Sequence, residues 1–159
     1  MFDKNLMDPM DAPVAKYAEV FVTVKERRYT FLNATNFEGK ANVSTKEVPR
    51  VGATVMGHKA TVVNLPFTLK AYKCGEIFDE VVTEFIKTGI MPRFTVQTSN
   101  EDPATSIGRS TTIYNNCILD GDVLLSMVGS GDDYIEQEIS GYAESIEKPE
   151  KYTVPAYMG

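Results

Sequence analysis

Apolar and polar residues alternate along many short stretches of this chain, and one longer stretch repeats its apolar residues at helical spacing. Alternation over several residues is typical of half-buried β-strands, whereas an apolar face repeated every three to four residues is typical of an α-helix. Short strands around a single helix predict a mainly β (α+β) fold, a two-sheet β-sandwich or barrel with one packed α-helix. The predicted strands are 17–24, 29–35, 37–48, 60–72, 91–98, 110–119, 122–128 and 133–146.

The clearest alternation lies at 60–72, and we expect the apolar face of this strand to lie in the core. Pro66 has no backbone N–H, so it predicts that the strand lies at a sheet edge or carries a bulge. The stretch 37–48 is polar and charged, which is the usual protection of an exposed edge, and it leads into a loop that we expect to be mobile. The residues on the predicted core face are Val63, Leu65, Phe67, Leu69 and Ala71.

The segment Glu76–Thr88 predicts the helix, because its apolar residues form a single stripe. Acidic residues in the first turn and a lysine in the last turn match the helix dipole. Gly89 provides the usual C-terminal cap. We expect Phe78, Val82 and Phe85 to pack against a sheet.

The chain has 159 residues, a mass of 17.6 kDa and 43% hydrophobic residues, which fits one globular domain with a sizeable core. We divide it into an N-terminal arm at 1–16, a barrel domain at 17–152 and a C-terminal tail at 153–159. The arm is rich in Met, Asp and Pro and lacks periodicity, so we expect it to order only against a partner.

The two halves of the chain carry opposite charge. Residues 1–75 hold 11 Lys and Arg against 7 Asp and Glu, and residues 76–159 hold 5 against 15. Such a division favours head-to-tail contact between copies, which closes into rings or continues as tubes and filaments. Alternatively, both signs mix on one folded surface and have no role. The net charge of −6 argues against tight phosphate binding, although DNA could still slide past such a surface.

No residue set for catalysis, a metal or a cofactor stands out, and we expect a protein that is not an enzyme. His58 is the only histidine, and the two cysteines are too few for a disulfide framework or a recognisable zinc site. The sequence from Gly52 to Lys59 resembles a phosphate-binding loop, but His58 stands where the lysine is needed. The Asp-Gly-Asp sequence at 120–122 lacks the order of an EF-hand, so we expect a tight turn there. No apolar stretch approaches the roughly 18 residues of a membrane span.

Three glutamates, Glu136, Glu138 and Glu144, share one face of the last predicted strand. The simplest interpretation is a solvated face. The functional alternative is a repulsive lining or a surface for a partner.

Several short motifs occur in an order and spacing that resemble a known family. They are Gly57-His58-Lys59, then Pro92-Arg-Phe-Thr-Val-Gln97, Asp102-Pro-Ala-Thr-Ser-Ile-Gly108-Arg109, and Asn116-Cys-Ile-Leu-Asp-Gly-Asp122. Together they resemble the tail tube (core) proteins of contractile-tailed phages, defective prophages and phage-derived bacteriocins of Gram-positive bacteria. The likeness covers roughly Tyr29–Tyr152. The closing strand departs from it, since Ser140-Gly141-Tyr142-Ala143 stands where relatives tend to carry aromatic residues and Thr, and the N-terminal arm is longer than usual.

The resemblance implies rings of six copies that stack into a hollow tube inside a contractile sheath. The partners it implies are further copies of the chain and the sheath, tape-measure, baseplate and tail-terminator proteins, with DNA only in passing. It implies assembly in the bacterial cytoplasm and a final place in a virion or phage-like particle, with no membrane contact of the free subunit.

Within this picture, the long polar hairpin at 37–55 is suited to reaching a neighbouring copy, and the glutamate face is a candidate lining of the lumen. The residues that we select for contacts between subunits are Glu38, Lys40, Lys46, Arg50, Gly57, His58 and Lys59. Those that we select as motif turns are Gly108, Arg109, Asp120, Gly121 and Asp122.

Two alternatives remain at this stage. A type VI secretion tube subunit would share the architecture. A small ligand-binding β-barrel would instead show a concave apolar pocket and remain a monomer.

Overall fold

The computed structural model describes residues 6–155 and 157–158. This part of the chain contains nine strands, one α-helix and a short 3-10 turn at Pro9–Asp11, so the mainly β prediction is confirmed. The elements are β1 (Ala18–Val24), β2 (Arg27–Thr30), β3 (Ala34–Gly39), β4 (Asn42–Val48), β5 (Gly57–Tyr72), α1 (Ile77–Thr88), β6 (Phe94–Glu101), β7 (Arg109–Leu119), β8 (Glu136–Ala143) and β9 (Ser145–Glu150).

The strands form one antiparallel sheet that curls into a half-barrel. Its order is β2-β1-β6-β7-β8-β5-β3, with β4 paired to the first half of β5 and β9 paired to β7. One edge of β7 pairs with β6. The other edge is shared, since residues 111–115 pair with β9 and residues 118–119 pair with β8.

The core lies inside the curl and is closed by α1. Alternate residues of β5 are buried there, as the period of two predicts: Phe67, Leu69 and Ala71. Val63 was expected on the same buried face, but it is 53% exposed. The reason is that residues 57–64 pair only with β4 and extend beyond the core.

Aromatic rings join the helix to the sheet. Phe78 of α1 is 2% exposed and packs edge-to-face against Phe31 and Phe94, at centroid distances of 6.0 and 5.6 Å. The helix is confirmed, and Gly89 ends it with φ +78°. The expectation that Phe85 packs in the core is wrong, because this residue is 44% exposed in the last turn of α1.

The predicted strand at 122–128 is absent, since residues 120–135 contain neither strand nor helix. The stretch predicted as one strand at 133–146 is two strands, β8 and β9, separated at Glu144. Similarly, the predicted strand at 29–35 is divided between β2 and β3 by a turn at 31–33.

Pro66 lies in an interior strand, so the edge alternative is wrong, whereas β5 does carry a bulge, at Thr61 opposite β4. On one side β5 pairs with β8, and on the other it pairs with β3 and then β4. The Pro66 carbonyl accepts a hydrogen bond from the Lys40 N–H at 3.0 Å, and the proline nitrogen faces the same way. The proline nitrogen therefore faces the break between β3 and β4, where the hydrogen-bond ladder along this edge of β5 is already interrupted.

The described part of the N-terminal arm is held by its own subunit, which differs from the expectation that it orders only against a partner. The buried Asp11 carboxylate accepts hydrogen bonds from the Ser106 N–H at 2.9 Å and the Ser106 hydroxyl at 2.8 Å. The Val14 N–H donates to Asp102 Oδ2 at 3.1 Å, and the Asn100 side-chain amide donates to the Val14 carbonyl at 3.1 Å.

Candidate assembly surfaces

The most prominent exposed feature is the hairpin formed by β4 and the first half of β5, which we call the hairpin arm (residues 42–64). All seven residues of β4 are exposed. Val48 pairs with Gly57 at the closed end, and the turn between them carries the fully exposed Val51. Among the described residues, this part of β5 has only β4 as its strand neighbour. The arm therefore presents itself to a partner and contributes little to the core.

The hairpin arm holds five of the seven residues selected for inter-subunit contact. Lys46 lies directly opposite Lys59, and His58 opposite Glu47. Arg50 donates to the Val55 carbonyl at 3.1 Å, which orders the turn. Gly57 is half-buried against the Arg50 side chain.

The other two residues of that set, Glu38 and Lys40, lie at the base of the arm. Their charged atoms are 3.8 Å apart and both side chains are exposed. The arm also begins later than expected, because Phe37 is half-buried in β3 and stacks on Phe67 with centroids 6.1 Å apart. The sequence therefore predicted a hairpin but placed its first strand too early.

The motif turns lie where the sequence placed them. Gly108 and Gly121 adopt φ +81° and +96°, the left-handed region that glycine tolerates. Asp120 and Asp122 flank the second of these turns, and its Asp120 N–H donates to the Ser140 carbonyl at 2.9 Å. No grouping of three or more His, Cys, Asp or Glu suited to a metal occurs within the described residues.

Arg109 does more than follow a turn. It starts β7 and its guanidinium makes two hydrogen bonds to the Glu150 carboxylate in β9. The hydrogen bonds from Arg109 and Thr111 lower the pKa of Glu150. This pair joins the end of β9 to the start of β7, so the motif residue has a structural role that spacing alone did not reveal.

The glutamate face is only partly as predicted. Glu136 and Glu138 are exposed on the same face of β8, whose alternate residues are buried. Glu144 lies beyond the strand, where it accepts hydrogen bonds from Asn116 at 2.9 Å and Arg93 at 2.7 Å. These two donors lower the pKa of Glu144, so this carboxylate is already paired within the subunit.

The groups considered for nucleophilic chemistry lie in different environments. His58 is exposed on the hairpin arm, whereas Cys117 is fully buried and its thiol donates to the Tyr114 carbonyl at 3.3 Å. Burial raises the pKa of Cys117 to about 11. A thiol in this state is protonated at neutral pH and is a poor nucleophile or metal ligand.

A ligand-binding barrel would need a concave apolar pocket. One open groove of about 800 Å³ runs between residues 13–16 of the N-terminal arm and the strands β1, β2 and β3. Charged and amide side chains such as Lys16, Glu19 and Asn100 line it beside apolar ones. No helix among the described residues is long and apolar enough to cross a membrane.

Two exposed apolar surfaces were not found from the sequence. One is the C-terminal end of α1, where Phe85, Ile86 and Ile90 are 44 to 74% exposed. The other is the segment at 120–135, whose apolar side chains were assigned to a strand. In both cases the pattern of apolar residues was visible, but it carries no information on whether another part of the chain covers them.

Comparison with known proteins gives a consistent result. A family model described as "Phage tail tube protein" matches residues 5–150. The Bacillus subtilis (strain 168) protein named "Phage-like element PBSX protein XkdM" is 26% identical over 115 residues, which cover 72% of this chain and 78% of that protein.

Solved structures show a similar fold. A chain of the sheath–tube complex of an extracellular contractile injection system in its extended state has a TM-score of 0.63 at 16% identity, with 87% of this chain and 92% of that chain covered. A chain of the tube-terminating cap of the anti-feeding prophage has a TM-score of 0.62 at 16% identity, with coverages of 86% and 90%.

Proposed function

This protein belongs to the phage tail tube protein family and is a structural subunit of a virion or phage-like particle, not an enzyme, and we propose that its copies form hexameric rings that stack into the inner tube of a contractile tail. The family match favours a phage-type tube over the type VI secretion tube.

The observation that carries the proposed stacking is the hairpin arm. A strand pair with every β4 residue exposed gains little from its own core, since two-stranded hairpins are marginal in water. Binding to another copy would bury the exposed residues of the hairpin arm and stabilise it. A contact between an arm and a different surface of the next copy is heterologous, and heterologous contacts generate rings and tubes.

We further propose the partners of the assembled tube. The sheath surrounds it, the tape-measure protein occupies it during assembly, and baseplate and terminator proteins bind its ends. The similar chains from a sheath–tube complex and a tube-terminating cap support this assignment. Assembly takes place in the bacterial cytoplasm, and the finished tube conducts DNA or punctures an envelope.

The inner wall of the tube is proposed to be neutral to acidic. Each cation that neutralises a phosphate adds affinity for DNA, and that affinity would slow its passage. The exposed carboxylates of Glu136 and Glu138 support a wall formed by the outer face of β8. Glu144 is the third candidate, although Arg93 offsets its charge.

Shortening the hairpin arm tests the proposed function. Because Val48 and Gly57 are paired, residues 49–56 can be replaced by Asn-Gly, a dipeptide suited to a two-residue hairpin turn. We expect the shortened protein to retain its circular dichroism spectrum and thermal midpoint and to form no tubes in negative-stain micrographs.

The matched control places the same dipeptide at Lys25-Glu26, a two-residue turn that already has φ +50° and +67°. This control should form tubes. Normal tubes from the shortened protein, or absence of tubes from the unaltered protein at high concentration, would contradict the proposed function.

A further inference from the structure

The segment 120–135, which joins β7 to β8, is anchored by three hydrogen bonds and by Val123, which packs against the core, and most of its remaining residues are exposed. The Asp120 N–H donates to Ser140, the Lys73 ammonium donates to the Leu124 carbonyl at 2.5 Å, and the Lys73 N–H donates to the Ile135 carbonyl at 2.8 Å. Five of its large apolar side chains are nevertheless 41 to 98% exposed: Leu125, Met127, Val128, Tyr134 and Ile135. Contiguous exposed apolar side chains of this kind mark interaction sites.

The charge of this segment limits what can bind there. It contains four aspartates and no Lys, Arg or His. A complementary partner must bring apolar side chains together with basic ones. The acidic residues are Asp120, Asp122, Asp132 and Asp133.

The hairpin arm of the same chain has this composition. It carries Lys46, Arg50 and Lys59 against the single acidic Glu47. Lys46 and Lys59 lie directly opposite each other, and like charges in that position destabilise a strand pair until a negative partner neutralises them. Its exposed apolar side chains are Val43, Val48, Val51, Val55, Met56, Val62 and Val63.

The two surfaces lie at opposite ends of β5. The segment 120–135 is anchored through Lys73, immediately after the last residue of β5, whereas the turn of the arm precedes its first residue, Gly57. The 16 residues of β5 span about 50 Å at roughly 3.3 Å per residue. The tip of the arm therefore cannot bind the segment of its own molecule.

We propose that the tip of the hairpin arm of one copy binds the segment 120–135 of a second copy, an inference that rests on the proposed tube. The exposed valines of the arm cover the apolar side chains of the segment, and the lysines pair with its aspartates. Every copy has one hairpin arm and one segment 120–135 at opposite ends. Each copy can therefore bind one neighbour through its arm and another through its segment, and the contact repeats along the assembly.

Disulfide trapping in assembled tubes tests this contact directly. The substitutions Val51→Cys and Val128→Cys are combined with Cys74→Ser, because Cys74 is the exposed native thiol whereas Cys117 is buried. After mild oxidation, a non-reducing gel should show a ladder of covalent oligomers beyond the dimer. The two variants with one introduced cysteine should stay monomeric on the same gel.

The outcomes separate the inference from the proposed function. Tubes without a ladder overturn the contact and leave the tube function intact. Failure of the Cys74→Ser protein itself to form tubes overturns the proposed function and the contact with it.

A charge exchange provides a second test that needs no new bond. Either pair of reversals, Lys46→Glu with Lys59→Glu or Asp132→Lys with Asp133→Lys, should reduce the sedimentable tube fraction about tenfold at low salt, because like charges then meet across the contact. The protein with all four reversals should recover.

The control reverses Lys87 and Lys151, two exposed lysines outside both surfaces, and should assemble normally. If the fourfold variant assembles no better than the two pairs, the arm and the segment do not face each other and the proposal is wrong.

Discussion

Gly141 lies where two backbones approach too closely for a side chain. A Cβ atom at this position would be 2.1 Å from the Ile118 carbonyl oxygen and 3.0 Å from the ring of Phe67. Backbone cannot rotate away as a side chain can, so Gly141→Ala should lower the free energy of unfolding by about 1–3 kcal/mol. Urea unfolding at a concentration where the subunit is monomeric measures this.

The matched control is Gly129→Ala, since an added Cβ there meets nothing within 4 Å. Its unfolding free energy should stay within about 0.5 kcal/mol of the unaltered protein. Equal effects of the two substitutions would show that β7 and β8 are not as close as described.

A second residue-scale prediction separates the two phenylalanines of α1. Phe78→Ala removes a ring that is 2% exposed and should cost about 3–5 kcal/mol in unfolding free energy. Phe85→Ala removes a ring that is 44% exposed, and its cost should be under about 1 kcal/mol. Denaturant melts of both variants, again as monomers, give the comparison, and the reverse order would contradict the packing of α1.

The helical period predicted which residues of α1 share a stripe, but it could not predict how far along the helix that stripe is buried. Phe78 and Phe85 are equivalent in the pattern, and only the tertiary structure distinguishes them. The same holds for Val63 and Leu69 on β5, since one lies in the projecting arm and the other in the core. Residue burial is therefore the part of the fold least accessible from local pattern.

At the scale of elements, the N-terminal arm should respond to acid. The hydrogen bonds from Ser106 lower the pKa of Asp11 below 3.8 in the folded state. A carboxyl group with a lowered folded-state pKa stabilises its contact above the unfolded pKa, and that stabilisation is lost as the pH falls through the folded value. The arm should thus stay docked at neutral pH and weaken only in strongly acidic solution.

The Ser106 amide resonance of the monomeric subunit reports this directly in an NMR titration. Its shift should move with a midpoint below pH 3.8, the ordinary value for Asp11. Asp11→Asn should abolish that transition, and Asp122→Asn, at a position away from the arm contacts, should leave it unchanged. A Ser106 midpoint above the ordinary value would refute the described hydrogen bonds.

The strand prediction at 122–128 failed where the chain offers no strand partner, whereas most of the paired strands were predicted. Alternation at 17–24 and 110–119 corresponds to β1 and β7, because sheet neighbours lie on both sides. The stretch 122–128 has the same local pattern but no strand partner. Only the first two residues of β9 lie within the predicted strand at 133–146, because its charged residues and Pro149 do not alternate with apolar ones. Pairing partners are set by the whole topology, whereas the turns at Gly108 and Gly121 depend on local backbone sterics and were predictable.

At the scale of the whole molecule, assembly should weaken with salt. The division of charge between the two chain halves is partly spatial, because the basic hairpin arm and the acidic segment 120–135 lie at opposite ends of β5. Exposed charges are screened beyond about 8–10 Å at ordinary ionic strength. The sedimentable fraction should therefore fall between low and molar salt, and equal fractions would show that apolar contacts dominate.

The sequence predicted a protein that is not an enzyme, because one histidine and two cysteines allow few catalytic triads or metal sites, and the family match agrees with that prediction. The surfaces for assembly were predictable only in part. The polarity of the hairpin arm was evident from the sequence, but how far the arm extends from the core depends on where β5 stops pairing with β8. The family resemblance supplied the architecture that composition could not.

The last prediction concerns passage through the lumen. If Glu136 and Glu138 line the inner wall, Glu136→Lys with Glu138→Lys should convert a repulsive surface into one that binds phosphates, since each added cation neutralises a phosphate and raises affinity. Tubes of this variant should retain a short fluorescent DNA duplex on sedimentation at low salt and release it as salt increases. The control Glu26→Lys with Glu147→Lys adds the same charge at two other exposed positions and should retain less. Equal DNA retention by both variants would show that the outer face of β8 does not form the wall. A structure of the tube with a lumen lined mainly by Lys and Arg would reject an acidic inner wall altogether.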